Sequence, residues 1–159
     1  MSEPIDRREF LKRTTTATAA LALAPAVSLG EDQAGQRPVR VGLIGAGNRG
    51  CSLLRALMGM ERVSVPAVCD IDKARIAVAG KIITDAGQNE PEGYADGDEA
   101  YKRLLTRDDL DAVIIATPWD LHTPMAAAGM RAGKYVAVEV PASINMAQCW
   151  ELVRAHEET

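Results

Sequence analysis

The sequence is poor in aromatic residues, in cysteine and in any excess of positive charge. Phe, Tyr and Trp make up 4% of its 159 residues, with a single Phe. Eighteen Lys and Arg stand against 22 Asp and Glu, for a net charge of −4. Without a basic stripe, the composition argues against nucleic acid as a partner. Cys51, Cys69 and Cys149 stand at wide, irregular spacing. They fit neither a zinc pattern nor a disulfide framework, so no metal site is expected and the thiols read as small buried hydrophobes. No apolar stretch reaches the roughly 18 residues of a membrane span, and no internal repeat appears. What remains is ordinary globular material, 47% hydrophobic and 25% charged, long enough for one domain with a core.

The organising stretch is Val39 to Leu57, VRVGLIGAGNRGCSLLRAL. An apolar run with Val39, Val41, Leu43 and Ile44 enters Gly45-Ala46-Gly47-Asn48-Arg49-Gly50. Leu53, Leu54, Leu57 and Met58 then recur at helical spacing. Strand, glycine turn and helix form the context in which G-x-G-x-x-G signals dinucleotide binding. Gly45 permits the tight turn, Gly47 lets backbone approach a pyrophosphate, and Gly50 lets the helix pack close. A second strand, Val63 to Cys69, ends in Asp70, 20 residues after Gly50. That is the separation of the acid that binds an adenosine ribose.

Beyond Asp70 the pattern predicts a helix over Ile71 to Ala86, with Ile76, Ala79, Ile82 and Ile83 on one side. Turn-forming residues fill Gly87 to Asp98, where Tyr94 marks a short strand. Asp98 or Glu99 opens a helix through Leu105, with Tyr101, Leu104 and Leu105 inward. Asp111 to Thr117 is a continuous apolar strand of the kind covered on both faces. Pro118-Trp119-Asp120 follows at its carboxyl end, where open α/β sheets bind ligands. A helix over Leu121 to Ala132 stops at Gly133 and packs through Met125, Ala128, Gly129 and Ala132. Lys134 to Val138 is the next strand, ending in Glu139-Val140-Pro141. Asn145 caps a last helix to about Glu157, with Trp150, Leu152 and Val153 expected inward. Asp72 and Asp111 read as solvated element boundaries. The order predicts α/β architecture, a doubly wound parallel sheet of the Rossmann kind over residues 35–159.

Residues 1–34 read as leader and linker. Arg7-Arg8-Glu9-Phe10-Leu11-Lys12 is a twin-arginine pattern, followed by an apolar Ala- and Thr-rich stretch. Ala24-Pro25-Ala26 supplies an A-x-A cleavage site. The expectation is twin-arginine export to the periplasm without membrane insertion.

GLIGAGNRG, VCDID, IATP and the strand ending in Glu139-Val140-Pro141 resemble the N-terminal domain of Gfo/Idh/MocA oxidoreductases. ATPWDLHTPMA, GKYVAVEVPAS and CWELV are most similar to glycoside hydrolase family 109, exported enzymes like NAD-dependent α-N-acetylgalactosaminidase. The resemblance implies NAD as cofactor and a sugar or glycoside as substrate. Asn48 and Arg49 would meet the pyrophosphate and Asp70 the adenosine ribose. Trp119, Asp120, Leu121 and His122 would line the nicotinamide side, with Glu139 and Val140 under its ribose. His122 has an alternative reading as a structural histidine at a helix start. Typical oxidoreductases of this family carry Glu-Lys-Pro where this chain has Val140, and the hydrolase branch shares the valine.

The implied chemistry borrows the cofactor: hydride leaves sugar C3, the C2 proton is removed, the C1–O glycosidic bond breaks with loss of the aglycone, water adds and hydride returns. No paired-carboxylate site of an ordinary glycosidase can be argued here. The family's catalytic residues and most sugar contacts belong to a C-terminal domain expected to be absent from this chain, so catalytic residues stay unassigned. Two other readings stand beside this one, a sugar dehydrogenase releasing NADH and a non-catalytic dinucleotide-binding module. The oligomeric state, including a homo-oligomer, stays open.

Overall fold

A computed structural model describes residues 37–159. The twin-arginine pattern, the A-x-A site and most of the linker lie outside the described residues.

Five strands form one wholly parallel sheet. They are β1 (Val39–Ile44), β2 (Val63–Cys69), β3 (Glu92–Tyr94), β4 (Ala112–Ile115) and β5 (Tyr135–Val138), in the order β3-β2-β1-β4-β5. Parallel neighbours need crossover connections, and helices supply them: α1 (Asn48–Met58), α2 (Lys73–Asp85), α3 (Ala100–Leu105) and α4 (Trp119–Arg131), with α5 (Met146–Glu158) after β5. The chain winds outward from β1 through β2 to β3, then restarts on the other side of β1 with β4 and β5. The carboxyl ends of β1 and β4 therefore flank a topological switch point, the place where doubly wound sheets bind ligands.

Alternation along the strands feeds two cores. Val41, Leu43, Val65 and Val68 pack with Leu54 of α1 and with Ala79 and Ile83 of α2. Ile44, Cys69, Val113 and Ile115 point the other way, against Tyr101, Leu104 and Leu105 of α3 and Met125 and Ala126 of α4. Each fully buried Leu, Ile or Val contributes about 1.5–3 kcal/mol. The helix caps are local. Asp72 Oδ1 accepts the Ala74 N–H at 2.8 Å, and Asn145 Oδ1 accepts the Gln148 N–H at 3.0 Å.

Several expectations change. Trp150 and Val153 are exposed, whereas Leu152 packs inward as expected, joined by Ala155. Cys149 is exposed whereas Cys51 and Cys69 are buried. Ala132 is exposed at the end of α4. Asp111 is not a solvated boundary: it accepts from the Arg40 backbone N–H at 2.9 Å and from the Arg40 guanidinium through both oxygens. Helix α4 begins at Trp119 rather than Leu121, since Pro118 already fixes its entry. Among the described residues, no helix is long and apolar enough to cross a membrane.

Candidate dinucleotide site

The glycine turn is fixed by contacts only glycine allows. Gly45 has φ +92, and a Cβ there would lie 2.7 Å from the Ala116 carbonyl carbon and oxygen. The turn after β1 is thus pressed against the exit of β4. A Cβ on Gly50 would fall 1.9 Å from the Gly45 carbonyl oxygen, so α1 starts directly on the turn. Gly47 differs. Nothing lies within 4 Å of the place its Cβ would take. Gly47 lines a cleft of about 560 Å³, together with Gly45, Asp70, Thr117, Asp120 and Leu121 among others.

Asp70 closes the other side. One of its oxygens accepts the Ala46 N–H at 2.7 Å and the other the Asp72 N–H at 2.9 Å. The carboxylate holds the glycine turn as well as facing the cleft. Each oxygen keeps a further lone pair for a hydroxyl. Beside it, Cys69 is a neutral neighbour, because burial pushes its thiol up to about 12.

Asn48 and Arg49 stand exposed on the first turn of α1, and both side chains have partners inside the protein. Asn48 Oδ1 accepts from Arg75 Nη1 at 3.2 Å. Arg49 Nη2 reaches Glu139 Oε1 at 2.8 Å, and this guanidinium holds the Glu139 carboxyl below its ordinary value. What the turn leaves for an anion is backbone: the first N–H groups of a helix lack partners within the helix, and its dipole is positive there.

At the exits of β4 and β5 the expected residues separate. Asp120 and Leu121 line the cleft, Trp119 is 63% exposed outside its lining, and Val140 is 79% exposed. His122 is not among the cleft-lining residues. It is 1% exposed, with Nδ1 2.8 Å from the Pro141 carbonyl oxygen and Nε2 2.9 Å from that of Thr117. The next residue adds a parallel tie, Thr123 Oγ1 donating to the Ala142 carbonyl at 2.8 Å. This turn of α4 therefore bolts the β4 exit to the β5 exit. Sequence reasoning missed Thr117, Gly97, Asp98, Glu99 and Tyr101 as cleft residues. Thr117 was within reach as the residue after a buried strand; the others come from a loop placed only by tertiary packing. Among the described residues, no group of three or more His, Cys, Asp or Glu is arranged to hold a metal.

These residues fit a nicotinamide dinucleotide. Gly47, with open space where a Cβ would stand, and the ribose acceptor Asp70 both line the cleft. The comparisons with known proteins agree. A family described as an oxidoreductase family with an NAD-binding Rossmann fold matches residues 39–159. A glycosyl hydrolase family 109 protein of Saccharopolyspora erythraea is 40% identical over 99% of this chain and 38% of its own length. An α-N-acetylgalactosaminidase of Bacteroides fragilis is 44% identical over 76% of this chain and 28% of its own. Two solved structures are similar. One is a 3-ketoreductase from Actinomadura kijaniata in complex with NADP (TM-score 0.63, 30% identity, 77% of this chain and 36% of that one). The other is the WlbA dehydrogenase from Chromobacterium violaceum with NADH and UDP-GlcNAcA (TM-score 0.64, 28% identity, 77% and 33%). This chain spans well under half the length of each.

Proposed function

Because the chain belongs to the Gfo/Idh/MocA oxidoreductase family, matched over residues 39–159, we propose that this NAD-binding domain serves a glycoside hydrolase of the α-N-acetylgalactosaminidase type. A bound nicotinamide dinucleotide supplies reversible acceptance and return of hydride. Gly45 and Gly47 admit its diphosphate to backbone contact, and the first turn of α1 favours the negative charge. The free lone pairs of Asp70 receive the adenosine ribose. Glu139, steadied by Arg49, faces the second ribose, while Asp120 and Leu121 border the nicotinamide side. His122 keeps the exits of β4 and β5 in register and touches neither.

The observation that carries the hydrolase reading is Val140. It occupies the position where dehydrogenases of this family carry lysine, and its exposed side chain has no group to move a proton. A sugar dehydrogenase is the second reading, favoured by the reductase and dehydrogenase among the similar structures. The assay that separates them uses the protein made from the complete reading frame, NAD+ and a chromogenic α-N-acetylgalactosaminide. Hydrolysis without net NADH, with solvent exchange at the sugar C2 proton, supports the hydrolase; NADH accumulating in step with free sugar overturns it.

Export is part of the same proposal and rests on Arg7-Arg8 and Ala24-Pro25-Ala26. Replacing both arginines by lysine should trap the precursor in the cytoplasm. A mature protein that still reaches the periplasm would refute this route.

A further inference from the structure

Among the described residues, one buried side-chain polar atom has no hydrogen-bond partner: the hydroxyl Oγ1 of Thr117. Buried hydroxyls are almost always bonded, so an orphan calls for a physical reason. The surroundings supply one. The Thr117 carbonyl lies 2.9 Å from His122 Nε2, and the preceding Ala116 N–H donates to Ile44 at 2.8 Å. On the third side, a Cβ on Gly45 would be 2.9 Å from the Thr117 nitrogen. Backbone pinned on three sides leaves the hydroxyl only rotation about Cα–Cβ with which to find a partner.

Thr117 also lines the cleft shared with Gly45, Gly47 and Asp70. Strand order gives it a definite place there. Asp70 follows β2, the glycine turn follows β1, and Thr117 lies just beyond β4, with β1 between the other two. A dinucleotide with its adenosine ribose at Asp70 crosses the glycine turn with its diphosphate and meets Thr117 next. We propose that Thr117 is a further cofactor-binding residue, whose hydroxyl turns about its Cα–Cβ bond and hydrogen-bonds the second phosphate or the ribose on the nicotinamide side. This rests on the dinucleotide reading of the cleft. The ligand thus supplies the Thr117 hydroxyl with the partner that the protein does not.

The test replaces Thr117 by Val, which keeps the shape and removes the hydroxyl, and by Ser, which keeps the hydroxyl. Calorimetric titration of the 159-residue chain uses three probes: NAD+, ADP-ribose, which lacks only the nicotinamide, and AMP, which ends before the second phosphate. The proposal predicts that T117V weakens NAD+ and ADP-ribose about tenfold, leaves AMP unchanged, and leaves the thermal midpoint of the free protein equal or higher. T117S should bind all three like wild type. Unchanged NAD+ affinity in T117V overturns the proposal, as does equal weakening of AMP. A lower midpoint of free T117V also overturns it, because the hydroxyl is then bonded within the protein. A wild-type chain that binds none of the probes refutes the underlying dinucleotide reading instead, and this proposal with it.

Discussion

Arg49 and Glu139 are joined at 2.8 Å between the first turn of α1 and the exit of β5. The pair spans the switch point and neutralises the guanidinium nearest the glycine turn. A diphosphate in the cleft must therefore compete with Glu139 for Arg49 or be held by backbone alone. The pair also sets a pH dependence. The hydrogen bond from Arg49 lowers the Glu139 carboxyl. A carboxylate lowered by folding adds stability above its unfolded value and loses it as pH falls through the folded one. Wild type should lose thermal stability on acidification below the ordinary glutamate range, and E139Q should show a shallower loss there. Identical slopes in the two proteins would show that the pair contributes nothing.

The three motif glycines should separate in their effects. A Cβ on Gly50 meets the Gly45 carbonyl oxygen at 1.9 Å, backbone that cannot move aside. G50A should cost at least the 1–3 kcal/mol typical of overpacking. G47A meets open space, so it should fold with a near-normal melting temperature yet bind NAD+ more than tenfold worse, its methyl standing where the diphosphate belongs. Melting curves and titrations of both variants check this; a G47A protein that binds normally would contradict it.

His122 should behave as a bolt rather than a ligand. H122A removes the ring that stands between the Thr117 and Pro141 carbonyls, with the hydrogen bond its N–H gives, and opens a cavity, a loss of about 2–4 kcal/mol. The affinity of the remaining folded protein for NAD+ should change only a few-fold. H122N, which keeps one donor, should recover part of the stability. A large affinity loss with unchanged melting would return His122 to the cofactor side.

Preference for NAD+ over NADP+ should follow from Asp70. Its charge repels a phosphate on the ribose 2′ position, and the nearby Arg75 is engaged with Asn48 at 3.2 Å. Wild type should bind NAD+ at least tenfold tighter than NADP+. D70N, which keeps an acceptor for the Ala46 N–H, should weaken NAD+ and narrow that ratio. Equal affinity for both in wild type would sink the assignment, and the similar 3-ketoreductase, solved with NADP, makes the comparison worth measuring.

Much of this architecture was legible in the sequence because period and punctuation agree. Val63–Cys69 appears at its expected bounds, and the lone Tyr94 correctly marked β3. Glycines at fixed offsets announced the turn, and Asp70 announced the acid at its rim. Contacts between distant segments were not legible. Nothing local distinguishes a histidine that lines a cleft from one clamped between the carbonyls of Thr117 and Pro141. The pairing of Arg49 with Glu139 is likewise set by strand order. Trp150 read as core because it is large and apolar, yet α5 packs through Leu152 and Ala155 and leaves it exposed at 56%.

The central claim is that a nicotinamide dinucleotide lies across the carboxyl edge of β2, β1 and β4. The most direct test is to add NAD+ to the isotope-labelled chain and follow its backbone amides by NMR. The account predicts shifts concentrated at Gly45 to Arg49, at Asp70 and at Thr117 to Leu121, with α5 and the far ends of the strands unmoved. Saturable shifts that avoid the glycine turn and Asp70, or none at millimolar NAD+, would contradict it.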